Sequence, residues 1–257
     1  MTVTTICFYN QKGGVGKTTS CISFGAGLAR CGYKVLLIDL DAQGSLSVAL
    51  GLEPDEDDTT VYEVLRGADV NKAIVSKGDR YDVIPSDIRL SGAELSLYNE
   101  VGRDLILTKA ISKLKKRYDY VLIDCSPSLN ILSLMALTAS DEVIVPIKSD
   151  YLPLKGMAQL RDTINLIKKT TNSKIEISGI LLTFFDGKRN LDQEVLASLT
   201  RAFGDKVFQT TIRNNVKLGE APSSGEDIYT YAPASTGAKM YSQVVKEYLK
   251  RKGDQNG

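Results

Sequence analysis

Histidine is absent from the 257 residues of this chain, and its absence excludes several kinds of chemistry. No histidine can act as a general base, bind a metal ion or form a pH switch near neutrality. The four cysteines (Cys7, Cys21, Cys31 and Cys125) form no C-x-x-C pair, which argues against a zinc or iron–sulfur site within one chain. Unpaired cysteines of this kind are typical of a reduced, cytoplasmic protein.

Long apolar runs and an excess of one charge are also missing. The longest apolar segments have the length of buried strands, so we expect no membrane span. The chain enters a strand-like run at once, so we expect no secretory leader. The 32 Lys and Arg residues nearly balance the 31 Asp and Glu residues, and the net charge is +1. Any binding of nucleic acid would therefore need a local basic patch.

Short apolar runs alternate with helical patterns along the whole chain. Near-continuous apolar runs of this kind are typical of strands that are buried on both faces of a parallel sheet. The predicted strands are 3–8, 35–39, 120–124, 143–147 and 177–184, and the main predicted helices are 21–30, 104–117, 156–170 and 191–203. The pattern predicts an α/β fold with a doubly wound, mostly parallel sheet and helices on both faces. We expect one domain, 1–252, and a disordered tail, 253–257.

A glycine-rich segment, residues 10–19, separates the first predicted strand from the first predicted helix. It reads N-Q-K-G-G-V-G-K-T-T. Glycines let backbone N–H groups approach an anion closely, and the helix N-terminus adds unpaired donors. Lys17 can reach the phosphates of a nucleotide, and the Thr18 hydroxyl can bind Mg²⁺. The order of strand, glycine loop and helix favours this interpretation over a glycine turn without a ligand.

Three carboxylates follow or end predicted strands. Asp39 and Asp41 belong to I-D-L-D-A-Q-G, and Asp124 ends V-L-I-D. The carboxyl ends of parallel strands meet at one edge of a sheet, so we expect these groups near the glycine loop. There they could hold the waters of a Mg²⁺ ion or orient an attacking water. An aspartate at a strand end can also simply cap the next helix.

The loop departs from the general phosphate-binding pattern G-x-x-x-x-G-K-[ST]. Gln11 stands where that pattern has glycine, and Lys12 is a second lysine inside the loop. The form K-G-G-x-G-K-T-T resembles the deviant Walker A loop of the ParA/MinD family of ATPases. The segments 39–44, 124–129 and 215–223 resemble further motifs of ParA in order and spacing. The similarity covers nearly the whole chain and is closest to the short, Soj-like ParA proteins.

This resemblance implies a P-loop NTPase fold and a Mg²⁺-dependent ATPase. Lys17 would bind phosphates, Asp41 would position the attacking water, and Lys12 would reach the partner's nucleotide across a dimer interface. Gly13 would let the two loops of the dimer approach closely. Without histidine, hydrolysis would rest on positioning and charge stabilisation, which phosphoryl transfer permits.

The resemblance also implies a set of ligand-binding positions. Thr18 would contact Mg²⁺ directly, while Asp39 and Asp124 would support the ion without direct contact. The implied nucleotide-binding residues are Lys12, Gly13, Gly14, Val15, Gly16, Lys17, Thr18, Thr19, Arg213 and Asn215. The segment before residue 216 departs from the family's frequent I-P-R-N, because Arg213 stands at the proline position and Asn214 at the arginine position. This segment lies against the adenine base in the family, so the departure concerns base selectivity.

DNA binding is implied by the resemblance and not by overall charge. The candidate cations are Lys188, Arg189, Lys217, Lys246 and Lys250. Helical spacing would place Lys246 and Lys250 on one face of the last helix. Contacts of this kind to phosphates would give affinity without sequence reading and would weaken with salt. The alternative is a solvated, lysine-rich terminal helix.

The predicted function is that of a ParA-type partition ATPase. An ATP-bound homodimer would bind double-stranded DNA non-specifically, and a ParB-like partner would stimulate hydrolysis to segregate plasmid or chromosomal DNA on the nucleoid. The main alternative is a MinD-like membrane-associated ATPase, but the terminal Y-L-K-R-K-G-D offers little apolar surface. An enzyme with a cluster bridging two subunits lacks a second suitable cysteine. A non-enzymatic nucleotide-binding scaffold is the third alternative.

Overall fold

The computed structural model describes residues 3–78, 80–149 and 153–253. Its strands are β1 (Thr4–Phe8), β2 (Val35–Leu40), β3 (Val75–Lys77), β4 (Tyr81–Ile84), β5 (Tyr120–Cys125), β6 (Glu142–Lys148) and β7 (Glu176–Thr183). Within the described residues they form one sheet in the order β3-β4-β2-β5-β1-β6-β7. Every neighbouring pair is parallel except β3–β4, which is antiparallel at one edge.

The helices alternate with the strands. They are α1 (Lys17–Arg30), α2 (Ser45–Ala49), α3 (Val61–Leu65), α4 (Leu90–Leu97), α5 (Ile106–Ser112), α6 (Ile131–Ala139), α7 (Pro153–Thr170), α8 (Asn190–Phe203), α9 (Val216–Glu220), α10 (Ile228–Tyr231) and α11 (Thr236–Arg251). In the part of the chain that the structure describes, no helix is long and apolar enough to cross a membrane. The predicted disordered tail lies outside the described residues except for Gly253.

Alternating residues of the strands feed two separate cores, one on each face of the sheet. In β1, Ile6 and Phe8 pack against one layer of helices, α1, α2, α10 and α11. Cys7 of the same strand packs against the other layer, which contains α3 to α8. Side chains of successive strand residues point to opposite faces, so strands buried on both faces must be apolar throughout. The predicted doubly wound α/β fold is therefore confirmed.

The predicted helix 104–117 is wrong at both ends. A 3₁₀ turn occupies Arg103–Leu105, and α5 ends at Ser112. The side chain of Asn71 donates to the carbonyl of Lys113 (3.1 Å) and accepts from the N–H of Lys115 (2.8 Å). These bonds engage backbone groups that a longer helix would need, so the chain leaves the helix before β5.

Three of the sequence motifs meet at the carboxyl edge of the sheet. The glycine loop follows β1, whose last residue, Phe8, is paired in register with Asp124 of β5. On the other side of β5, Asp39 of β2 is also paired in register with Asp124. Parallel pairing thus brings the loop and two of the carboxylates together.

Candidate nucleotide-binding site

The loop between β1 and α1 leaves the start of the helix uncapped. Gly14 (φ 69°) and Gly16 (φ 79°) adopt left-handed conformations that favour glycine. Gly16 occupies the N-cap position, and no side chain among the described residues caps the first turn of α1. A β-carbon at Gly13 or Gly14 would meet no atom of the described residues within 4 Å, so this side of the loop is open toward them. An open, uncapped helix N-terminus attracts anions, because its N–H groups and dipole are directed outward.

The two lysines of the loop lie in different environments. Lys17 is buried, and its Nζ donates to the backbone oxygen of Lys12 at 3.2 Å. Burial lowers the pKa of Lys17, although the carboxylates of Asp124 and Asp41 oppose this effect. The side chain of Lys12 is exposed. Lys17 is therefore held over the loop, whereas Lys12 lies at the surface.

Thr18 and Asp124 form the polar centre of the site. The Thr18 Oγ1 donates to Oδ2 of Asp124 at 2.6 Å. Asp124 is only 1% exposed, and its Oδ1 is buried without a hydrogen-bond partner among the described residues. Burial, together with the neighbouring carboxylate of Asp39, raises the pKa of Asp124 to about 8. A buried carboxylate oxygen without a partner, beside a threonine hydroxyl, fits the oxygen ligands that Mg²⁺ prefers.

Asp39 organises the loop that carries Asp41. Its Oδ2 accepts from the N–H (2.9 Å) and the hydroxyl (2.8 Å) of Ser47, and its Oδ1 accepts from the N–H of Asp41 (3.2 Å). Burial raises the pKa of Asp39 to about 6, against the effect of these hydrogen bonds. Asp41 is half-buried and accepts from the N–H of Gln43 at 3.0 Å. Asp39 therefore acts on the site by shaping the Asp41 turn.

Two residues that the sequence interpretation did not assign, Asn10 and Thr183, hold the loops in place. Asn10 donates to the carbonyl of Pro146 (2.8 Å) and accepts from the N–H of Lys12 (3.0 Å). The Thr183 hydroxyl, at the end of β7, donates to the carbonyl of Val15 at 2.8 Å. Thr183 is a polar residue at a strand end and Asn10 lies two residues beyond one, a signal close to that which pointed to the aspartates.

A small cavity of about 130 Å³ adjoins the helix end of the loop. Gly16 and Thr19 line one side, and residues 212–215 line another, so Arg213 and Asn215 lie beside the loop. Asn215 caps α9 by accepting from the N–H of Leu218 at 3.2 Å.

Phe184 also lines this cavity, and no sequence pattern indicated that it would do so. It is 41% exposed and has a left-handed φ of 52°, the one such non-glycine residue that the described part contains. A β-carbon on Gly16 would lie 3.6 Å from its ring, so the ring stands directly against the glycine loop. The cavity therefore combines an aromatic face with polar groups, which suits a planar base.

The candidate DNA-binding cations fall into two groups, one near the nucleotide site (Lys188, Arg189 and Lys217) and one on α11 (Lys246 and Lys250). Lys188 and Arg189 are exposed in the loop after β7, at the same edge as the glycine loop. Lys217 lies in α9, where its Nζ donates to Glu220 at 2.8 Å. Lys246 and Lys250 are exposed on α11.

The helix α11 runs from the carboxyl ends of the strands toward their amino ends. Asn215 bonds to Thr236 at its start, while Tyr248 near its end donates to Glu142, the first residue of β6. At 1.5 Å per residue, Lys250 lies roughly 20 Å along the helix from Thr236. The structure therefore does not bring Lys250 together with Lys188, Arg189 and Lys217.

Comparisons with known proteins agree on one family. A family model described as an AAA domain matches residues 3–177. The chain is 43% identical to the sporulation initiation inhibitor protein Soj of Bacillus subtilis, over 94% of this chain and 96% of that protein. It is also 43% identical to the chromosome-partitioning ATPase Soj of Treponema pallidum, over 97% and 98% of the two chains.

A solved structure extends the agreement to the fold. The crystal structure titled cobyrinic acid a,c-diamide synthase from Mycobacterium smegmatis, with bound ATP analogue and magnesium, superposes with a TM-score of 0.85. It is 33% identical and covers 98% of this chain and 96% of that chain. The glycine loop with two lysines, the fold and these relatives agree. The chain belongs to the ParA/Soj family of ATPases.

Proposed function

We propose that this chain is a partition ATPase that binds ATP and Mg²⁺ and switches between DNA-bound and free states to segregate plasmid or chromosomal DNA. The observation that carries the proposal is the meeting of Lys17, Thr18, Asp41 and Asp124 around an open glycine loop. Relatives named for chromosome partitioning support the biological role.

Each residue around the loop has a chemical task in this proposal. The loop N–H groups and Lys17 would hold the phosphates, and the base would enter the cavity beside Phe184. Thr18 would contact Mg²⁺ directly, and Asp124 would support the ion without direct contact. When bound, the ion would neutralise charge on the phosphate oxygens. Asp41, on the turn that Asp39 fixes, would orient the attacking water. The two Ser47 bonds to Asp39 keep that turn in place without contacting the substrate.

Lys12 has a different task in this proposal. Its side chain is exposed on an open part of the loop, so it can contact a nucleotide held by a second copy of the chain. Such a contact would place a positive charge on the developing charge of the transition state. We therefore propose an ATP-dependent homodimer in which Lys12 acts on the partner's nucleotide.

DNA binding and its release complete the proposed cycle. Dimerisation would double the number of phosphate contacts made by Lys188, Arg189, Lys217, Lys246 and Lys250. A ParB-like, centromere-binding partner would stimulate hydrolysis and free the protein from the nucleoid.

The membrane alternative is less well supported by the end of α11. A membrane-binding helix needs an apolar face that is accessible to lipid. Tyr248 and Leu249 are buried, 1% and 0% exposed, because they pack on the sheet. The exposed residues that follow in this turn are basic: Lys250, Arg251 and Lys252.

The proposal can be tested by DNA binding of the Asp41→Ala variant, in which hydrolysis should be blocked. We expect it to bind random duplex DNA with ATP, to bind weakly with ADP or without nucleotide, and to lose affinity as salt increases. Asp57→Ala, in an exposed loop, is the matched control and should behave as the parent does. Folded, ATP-bound Asp41→Ala protein that never binds DNA would contradict the partition role and leave the ATPase assignment intact.

A further inference from the structure

Arg213 carries the positive charge of the cavity beside the glycine loop. Among the described residues that line this cavity, it is the one with a charged side chain. Its backbone is anchored, because its N–H donates to Sδ of Met240 at 3.3 Å. Its side chain is exposed, and the guanidinium forms no hydrogen bond or ion pair with another described residue. The N–H donors of the guanidinium are therefore available to a ligand in the cavity.

Other polar side chains of this cavity are already engaged within the protein. Asn215 accepts with its amide oxygen and donates with its amide nitrogen, both to neighbouring protein groups. The Tyr241 hydroxyl is paired with the hydroxyl of Ser20 at 2.9 Å. None of the described lining residues is acidic. Away from the glycine loop, the side chains left to bond the edge of a base are those of Arg213 and the exposed Asn214.

The two purines present different groups to these side chains. Guanine offers two adjacent acceptors, O6 and N7, whereas adenine offers the N7 acceptor beside an amino donor. The planar fork of an arginine donates to two neighbouring acceptors, so Arg213 matches guanine. An asparagine amide both donates and accepts, so Asn214 matches adenine. The cavity therefore has a partner for either purine.

We propose that Arg213 donates to O6 and N7 of a guanine base, so that this ATPase also binds and hydrolyses GTP. The inference rests on the proposed function, which places the base in this cavity. GTP and water give GDP and inorganic phosphate. The water oxygen bonds to the γ-phosphorus, the bond from that phosphorus to the β–γ bridging oxygen breaks, and one water proton is released to solvent. The groups around the phosphates do the same work for both nucleotides.

Recognition at O6 and N7 makes a further prediction about inosine. The described lining has no carboxylate to accept from the N1 and 2-amino groups that guanine also carries. Inosine keeps O6 and N7 and lacks the 2-amino group. ITP should therefore bind and react as GTP does, because Arg213 contacts only the edge that the two bases share.

The test compares ATP, GTP and ITP as competitors of a fluorescent ATP analogue and as substrates in a phosphate-release assay. For the parent, we expect GTP and ITP to bind within about tenfold of ATP and to be hydrolysed. Arg213→Met keeps the length of the side chain and removes its donors. The ratio of kcat/KM for GTP to that for ATP should fall by about tenfold or more, and ITP should follow GTP.

Two further variants sharpen the comparison. Arg213→Gln introduces an amide that can pair with the amino group and N7 of adenine, so it should shift the preference toward ATP further than Arg213→Met does. Arg201→Met removes an exposed arginine of α8, and it should keep the parent's ratio. Thermal melting of each variant checks the fold.

Three outcomes would overturn the inference and leave the proposed function standing. The first is a parent that hydrolyses ATP but uses GTP more than about 100-fold less well. The second is an unchanged GTP-to-ATP ratio in Arg213→Met. The third is an equal loss for both nucleotides in that variant, which would place the guanidinium on the phosphates or ribose. Hydrolysis of neither nucleotide by folded parent protein would instead contradict the ATPase function itself.

Discussion

The hydroxyl of Thr18 gives the most direct test of the proposed Mg²⁺ site. Thr18→Val keeps the shape of the side chain but removes the hydrogen bond to Oδ2 of the buried Asp124, whose Oδ1 has no partner among the described residues. We expect hydrolysis to fall by about 10- to 100-fold and the Mg²⁺ concentration needed for half-maximal rate to rise. Thr18→Ser, which keeps the hydroxyl, should retain most activity. A Mg²⁺ titration with equal midpoints for Thr18→Val and parent would contradict the assignment.

Lys12 can be tested separately from Lys17, because the Nζ of Lys17 is bonded to the backbone of Lys12 and not to its side chain. Lys12→Ala should therefore leave Lys17 in place and the fold intact. We expect it to lower hydrolysis by about 100-fold or more and to weaken ATP-dependent dimerisation, because one charge is lost from each shared site. Light scattering during size-exclusion chromatography measures the dimer. A variant with normal dimerisation and normal hydrolysis would disprove the role in the partner's site.

At the scale of the elements, the packing of α1 against α10 and α11 depends on Gly27, which has no side chain. A β-carbon at Gly27 would lie 2.8 Å from both the Tyr229 hydroxyl and a methyl of Val245. Gly27→Ala should lower the free energy of unfolding by about 1–2 kcal/mol, because overpacking outweighs the gain in helix propensity. A β-carbon at Gly92 in α4 would meet no described atom within 4 Å, so Gly92→Ala should raise the free energy of unfolding by about 0.5–1 kcal/mol. Urea unfolding measures both, and a Gly27→Ala protein as stable as the parent would contradict the packing argument.

Hydrogen bonds of Asp82 link β4 to the turn before β5. Burial raises its pKa, but hydrogen bonds from Lys116, Tyr118 and Ser76 outweigh burial and lower it below the ordinary value. A lowered pKa in the folded state means that the stabilisation is present at neutral pH and is lost as the pH falls through that pKa. Asp82→Asn should cost about 2 kcal/mol of unfolding free energy at pH 7.

The pH dependence distinguishes this charge effect from a loss of packing. The difference between Asp82→Asn and the parent should shrink below about pH 4, where the unfolded carboxyl is protonated. Urea unfolding at pH 7 and at pH 3 gives the two differences. If Asp82→Asn lowers the free energy of unfolding by the same amount at pH 7 and at pH 3, the carboxylate charge is not the cause.

Long elements could be predicted from the sequence, and short ones could not. The five predicted strands are present because their apolar runs are buried on both faces. No pattern predicted β3, β4 or α2, which have only three to five residues and form through contacts with the rest of the fold. The false extension of α5 has the same origin, since Asn71, distant in sequence, ends the helix.

The candidate site also has parts that the sequence could predict and parts that it could not. The glycine loop and the strand-end aspartates follow local patterns, so the sequence predicted their position. The contacts of Asp39 with Ser47 and the left-handed Phe184 depend on how separate segments pack. Neither has a signature of its own in the sequence. Predicted roles for Arg213 and Asn215 remain predictions, although both residues line the cavity beside the loop.

For the whole molecule, a net charge of +1 means that binding to a polyanion must depend on where the charges lie. The structure separates the nucleotide-edge cations, Lys188, Arg189 and Lys217, from Lys246 and Lys250 on α11. A duplex that contacts both groups must cross the face covered by α11. Replacing one cation in each group by alanine therefore tests whether a single surface binds DNA.

The variant Lys217→Ala/Lys246→Ala makes this test. With ATP bound, we expect about tenfold weaker binding to duplex DNA at 100 mM salt and a log–log salt slope smaller by roughly two for each subunit. Binding of a fluorescent ATP analogue should be unchanged, because neither side chain lines the glycine loop. Lys169→Ala/Lys174→Ala removes the same charge from another part of the surface and should have little effect. If the first variant binds DNA as tightly as the parent, the face of α9 and α11 does not contact DNA, and the charge that holds the duplex lies elsewhere.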